Sequence, residues 1–301
     1  MPIATLTNTS FQALLYRSLP VRLKICAFIN GCCEEVDFDK VLELEEELGQ
    51  ALRDIPAWDI PQADSRQHRI ATYIKNMLGI VLHQYILLLH FHFLVRTTSF
   101  SKSLICRRAR LEASTKILGY YQRLIKEEML PEQACRTGLT LSALSICLEI
   151  YLNLESRACD QSTITIFPQI SAFLIEHVEK VLDILEKRIS LTLNGLNEYC
   201  ILSMTVGLLK GRLWPVLATE SDKEAGERVI KLCRLMQARK AAIRQNQPLS
   251  EGCDDGQLRG NQLSIEGNYI GSDIMTDLIN SMLPQDLEFM NENLDLSFFH
   301  A

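Results

Sequence analysis

The chain has 301 residues, 47% of them hydrophobic, with a formal net charge of −6. Fourteen glycines and nine prolines are too few turn formers for a β-sandwich or barrel, and aromatics make up only 7%. Leu and Ile supply most of the apolar mass, so the composition points to an all-α protein. The N-terminal stretch MPIATLTNTSFQALLYRS does not read as a secretory signal, because no charged segment leads into an unbroken apolar core.

Residues 10 to 245 read as about eight helices in an irregular bundle or array. Residues 10 to 30 give a first helical pattern that Pro20 should break or kink. The next, 38 to 55, is amphipathic: Val41, Leu44, Leu48, Leu52 and Ile55 recur at three- and four-residue steps. Its Glu45, Glu46 and Glu47 fan around the helix and are expected to form a solvated face rather than a cation site. Pro56 and Pro61 then frame a loop.

From Met77 to Val95 no residue is charged, long enough on length alone for a membrane span. His83, Gln84, His90 and His92 oppose that reading, since lipid penalises polar groups. Nor do the histidines suit a metal. At about 100° per residue His83 and His90 share a face two turns apart, while His92 points about 180° from His83. The stretch is expected to be a core helix buried almost all round, with neither membrane nor metal.

Residues 103 to 127 place Leu111, Ser114, Ile117, Leu118, Tyr121 and Leu124 on one side, and Arg107, Arg108 and Arg110 are expected on a solvated face. Segment 135 to 156 has almost no charge before Glu149 and should be buried. Segment 172 to 189 carries a stripe of Leu174, Val178, Val181, Leu185 and Ile189. Another apolar helix runs from 196 to 214 and stops at Pro215. Ser221 with Glu224 forms a capping-box pattern that should open the last helix, to about Gln245.

The ten cysteines include no CxxC pair and mostly sit singly inside helical patterns, as free thiols of a reducing compartment do. Residues 246 to 271 are rich in Gly, Asn, Gln and Asp and read as a flexible linker. Residues 260 to 301 hold seven acids and no Lys or Arg; without them, 30 acids face 31 bases. The acidity belongs to a tail. Residues 272 to 301 interleave acids with Ile274, Leu278, Met282, Leu287, Phe289, Phe298 and Phe299, the composition of an amphipathic activation segment that docks into a partner's groove. The alternative is an ordinary C-terminal helix packed on the domain. No phosphate-binding glycine loop, nucleophile elbow or paired-carboxylate arrangement occurs, so no enzyme is expected.

The segment Tyr73 to Leu124 resembles the fungal-specific transcription factor regulatory domain, the middle homology region of six-cysteine zinc-cluster regulators. Leu89 and His90 match the Leu-His that closes the family's leucine-rich helix. Ser103, Cys106, Ala109, Ala113, Ile117 and Leu118 match its following helix, and LELEEELGQALRDIPAW resembles the preceding one with its Pro-x-Trp turn. His92 and Phe93 stand where the family has Pro-Phe, and the sequence aligns with the C-terminal half of that domain, without the zinc cluster.

The resemblance implies a nuclear transcription regulator of a metabolic or secondary-metabolite gene programme, acting on the transcription machinery or a coactivator. It further implies a small-molecule effector among the helices and a DNA-binding partner protein or homodimer. No cofactor is expected in this chain, zinc entering only with an upstream cluster. Direct DNA binding is not expected, because a near-neutral body and an acidic tail lack the charge that drives phosphate contact. A helical scaffold without a transcriptional role is the other function class.

Overall fold

A computed structural model describes residues 6, 7, 9–31, 37–58, 65–129, 136–159, 167–192 and 194–245. The linker and tail expected over 246–301 lie outside the described residues. Every regular element among the described residues is helical. In chain order they are α1 (Ser10–Arg17), α2 (Leu19–Asn30), α3 (Phe38–Arg53), α4 (Ser65–Arg96), α5 (Phe100–Lys126), α6 (Arg136–Cys159), α7 (Phe167–Thr192), α8 (Leu196–Leu213) and α9 (Ala218–Gln245), with a single 3-10 turn at Pro215–Leu217. They fall into two compact units, Met1–Val181 and Leu182–Ala301.

Pro20 does break the first helical pattern. It sits in the first turn of α2, where its missing N–H is no loss. Arg22 Nη2 donates to the Leu15 carbonyl at 2.7 Å and so occupies an acceptor that the end of α1 leaves open. The Asp37 side chain caps α3 by accepting from the Asp39 N–H at 3.0 Å.

The first unit is organised around α4, whose 32 residues span about 48 Å. On one side Val21 and Ile25 of α2 and Val41, Leu44 and Leu48 of α3 pack with Leu82, Leu89 and Phe93. Towards its start, Ala71, Ile74 and Leu78 pack with Leu14 of α1 and with Trp58. Its longest contact is with α5, and α6 packs on both α4 and α5. The helix is long and apolar enough to cross a membrane, and 61% of its apolar window is buried inside the protein.

In the second unit α8 and α9 form an antiparallel pair, pinned by the Ser203 hydroxyl donating to the Ala225 carbonyl at 3.3 Å. The expected stripe of α7 is buried in full, from Leu174 to Ile189. Ser221 does not open α9. The helix begins at Ala218, directly on the 3-10 turn, so Ser221 lies in the helix interior and is buried. Pro215, preset for a first helical turn, starts the coil earlier than the capping-box pattern alone implies.

Two glycines let α5 and α6 approach α4. A Cβ at Gly79 would stand 2.6 Å from the Tyr120 ring, and one at Gly138 would stand 1.7 Å from the Gln84 side-chain amide. These clashes differ in kind. The Tyr120 ring is held between His83, with centroids 5.5 Å apart, and the Arg123 guanidinium at 4.8 Å, whereas Gln84 ends in a flexible amide. Overpacking costs roughly 1–3 kcal/mol, and replacing a helical glycine by alanine returns about 1 kcal/mol. Gly79→Ala should therefore lower the urea-unfolding free energy by about 1 kcal/mol, while Gly138→Ala should leave it unchanged or raise it, given those two magnitudes.

Candidate functional site

The polar groups of the first unit concentrate where α5 and α6 meet. Glu149 projects from the apolar middle of α6 towards two arginines one turn apart on α5. Arg107 holds it with both Nε and Nη2, at 3.1 Å to Oε2 and 2.7 Å to Oε1, and its Nη2 also reaches Asn153 Oδ1 at 2.8 Å. Arg110 approaches Oε2 with Nη2 at 3.4 Å. The Arg110 side chain is wholly buried, and its Nε and Nη1 have no hydrogen-bond partner among the described residues. Burial pulls its guanidinium down to about 10, against the pull of Glu149, and it remains a cation at neutral pH. Two cations thus share one carboxylate in a buried cluster.

This corrects the expectation of a solvated arginine face. Only Arg108 is exposed. The ambiguity is built into the spacing: Arg107 and Arg110 are three residues apart and share a side, while Arg108 turns away. The usable signal is the one acid in the apolar stretch of α6 from residue 137 to 154, since a carboxylate in an apolar stretch needs a cation from its neighbour.

His83, His90 and His92 of α4 face three different neighbours. His83 Nδ1 lies 2.8 Å from the Gly79 carbonyl, and its ring packs on Tyr120. His90 is fully buried, with Nε2 3.1 Å from Glu45 Oε2. The angle is too poor for that approach to be a hydrogen bond. His92 meets Phe28 edge-on, with centroids 6.0 Å apart. Two helical turns separate His83 from His90, so a shared face does not give them a shared neighbour. Among the described residues no group of three His, Cys, Asp or Glu side chains could hold a metal ion.

Of the expected Glu45–Glu47 solvated face, Glu46 is exposed and pairs with Arg53, Glu47 pairs with Lys24 at 2.8 Å, and Glu45 turns to His90. Burial raises the Cys106 thiol to about 11, helped by Glu45, and the Cys147 thiol to about 12. Both stay protonated at neutral pH, so neither is an activated nucleophile. The expected activation residues Ile274, Leu278, Met282, Leu287, Phe289, Phe298 and Phe299 lie outside the described residues.

This arrangement can lock two helices in register and hold charge in a core. Comparison with known proteins adds the next constraint. The chain is 30% identical over 129 residues to Transcription factor opdR of Penicillium oxalicum, which covers 41% of this chain and 16% of that protein. It is 30% identical over 119 residues to Transcription factor lepE of Aspergillus flavus, 39% of this chain and 14% of that protein. The chain is a relative of fungal transcription factors. The matched stretch is about one-sixth of the first relative's length and one-seventh of the second's. No protein-family profile matches the chain. No solved structure matches it.

Breaking the cluster should be costly in one direction. Removing one partner of a buried ion pair typically costs 3–5 kcal/mol, because the other charge is left uncompensated. Glu149→Leu should destabilise by about that much in urea unfolding, and Arg110→Met should recover part of the loss in the double variant by removing one stranded cation.

His83 makes the fold pH-dependent. Burial pulls its imidazole down from 6.5 to about 4. The unfolded chain therefore takes up a proton below pH 6.5 that the folded chain refuses, and stability falls as pH drops from 6.5 towards 4. By pH 5 the loss from this group should be about 2 kcal/mol relative to pH 7. His83→Phe should remove that share of the pH dependence, read as the difference between variant and parent unfolding free energies at the two pH values.

Proposed function

We propose that the chain regulates transcription in a fungal nucleus, with the helical body as a regulatory module and residues 272 to 301 as an activation segment. The observation that carries this reading is the similarity to two fungal transcription factors over some two-fifths of the chain. In finer form, the body corresponds to the C-terminal half of the fungal-specific regulatory domain over residues 1 to 245, with a linker over 246 to 271. The regulated programme is metabolic or secondary-metabolite genes. A small effector held among the helices sets its activity.

These 301 residues contain no CxxC pair, so a six-cysteine zinc cluster is not encoded within them. Sequence-specific DNA contact is made outside these 301 residues, which assemble with a DNA-binding partner protein or as a homodimer and hold no cofactor themselves. The tail's output goes to a coactivator or to the transcription machinery. Its acids keep bulky side chains solvated until they dock, as coupled folding and binding requires.

Fusing residues 272 to 301 to an unrelated DNA-binding domain should activate a reporter. Phe298→Ala with Phe299→Ala should weaken that activation, since both remove docking surface, and exchanging Asp for Glu should leave it unchanged. A silent fusion would remove the activation reading and leave the helical scaffold role in its place.

A further inference from the structure

The buried cluster between α5 and α6 is short of one negative charge. Arg107 and Arg110 bring two cations, and among the described residues Glu149 is the one carboxylate that pairs with them. Arg107 takes the better share of it, with both Nε and Nη2. Arg110 is left with Nη2 at 3.4 Å from Oε2, the weak end of a hydrogen bond. Its side chain has no exposed surface, and its Nε and Nη1 find no partner among the described residues. The nearest other acid does not make up the difference. Glu45 acts on Cys106, one turn from Arg110, but its carboxylate turns to His90 at 3.1 Å. The groups that act on Arg110 itself are Glu149, Arg107 and Cys106.

A second buried donor lies along the same seam. Ser145 stands one turn before Glu149 and about 40° from it around α6, so both are on the side that meets α5. Arg107 reaches Glu149 and Asn153, whereas Arg110 reaches Glu149 alone, so the two helices run antiparallel. Ser145 therefore falls on the Arg110 side of the carboxylate. A serine inside a helix ordinarily donates to the carbonyl four residues back. Ser114 does so to Arg110 at 2.8 Å, and Ser142 to Gly138 at 2.6 Å. The Ser145 hydroxyl is buried and has no partner among the described residues.

We propose that the seam between α5 and α6 binds a small monoanion, a short carboxylate or a halide, on Arg110 and Ser145. Charge sets the valence, since one negative unit balances the spare cation and two would overshoot it. Burial sets the size, because a guanidinium without exposed surface is reached only by local opening and admits few atoms. The donor set fixes the sign: unused N–H and O–H groups accept lone pairs and repel cations. A bound anion pins α6 to α5 from the Arg110 side, as Glu149 does from the Arg107 side. This inference stands on burial and charge, apart from the regulatory reading above.

The test is thermal unfolding of the full chain at constant ionic strength, with sodium gluconate exchanged for sodium formate or sodium chloride. Gluconate is a monoanion too bulky for a wholly buried site. For a dissociation constant on the order of 1 mM, about 100 mM formate favours the folded state roughly 100-fold. The midpoint should then rise by about 5–10 °C, with the logarithm of the concentration. Formate above chloride marks a carboxylate as the better ligand, and chloride above formate a halide; either order supports the site. R110M keeps the pair of Arg107 with Glu149 and should lose the response, and S145A should weaken it several-fold. E149Q strands a second cation, so its response should exceed the parent's, which a purely structural role for Arg110 does not give. Equal midpoints in the three salts overturn the proposal. So does a response that R110M retains.

Discussion

Helix α4 has no wet side along its second half. No residue from Asn76 to Leu94 is exposed, and this one constraint arranges the first unit. A helix buried all round must be covered from several directions, so α2 and α3 close one flank and α5 and α6 the others. The lack of charge from Met77 to Val95 is the sequence form of the same fact. Lipid was the competing environment, and the histidines and Gln84 that lipid would reject each find a place inside the protein. Hydrophobic burial sets the scaffold; polar groups then decide its register.

That register depends on a few heterogeneous contacts rather than on uniform packing. Gly79 admits the Tyr120 ring, Gly138 admits Gln84, and Glu149 ties α6 to α5 through Arg107. The clamp adds little net stability, because desolvation offsets most of the Coulomb gain. Its effect is to penalise alternatives: a slide of α6 by one turn leaves three buried charges without partners. The excess cation at Arg110 is the least satisfied group in the cluster, its Nε and Nη1 having no hydrogen-bond partner among the described residues.

The second unit works differently. Among its described side chains α9 buries a narrow stripe of Ser221, Ala225, Leu232 and Met236, and its sequence has acids at its start and bases at its end. A helix so divided has two chemically distinct ends. The first unit holds one cluster of charges inside, at Glu149 with Arg107 and Arg110.

The helical class, and the order and approximate bounds of the elements, were legible in the residues, because apolar periodicity is a local property carried by each segment. The stripe of α7 and the break at Pro20 are where the pattern puts them. The capping box at Ser221 misled, since an earlier proline turn outranked it. The destinations of side chains were not legible. Arg107 and Arg110 looked like a wet face, and only the arrival of α6 with Glu149 made that side an interior. The three histidines were placed on α4 by sequence, but Tyr120, Glu45 and Phe28 came to meet them from other helices. A residue's position on its helix is decided within that helix; whether the position is wet or buried is decided by what packs there, and that is a property of the tertiary structure alone.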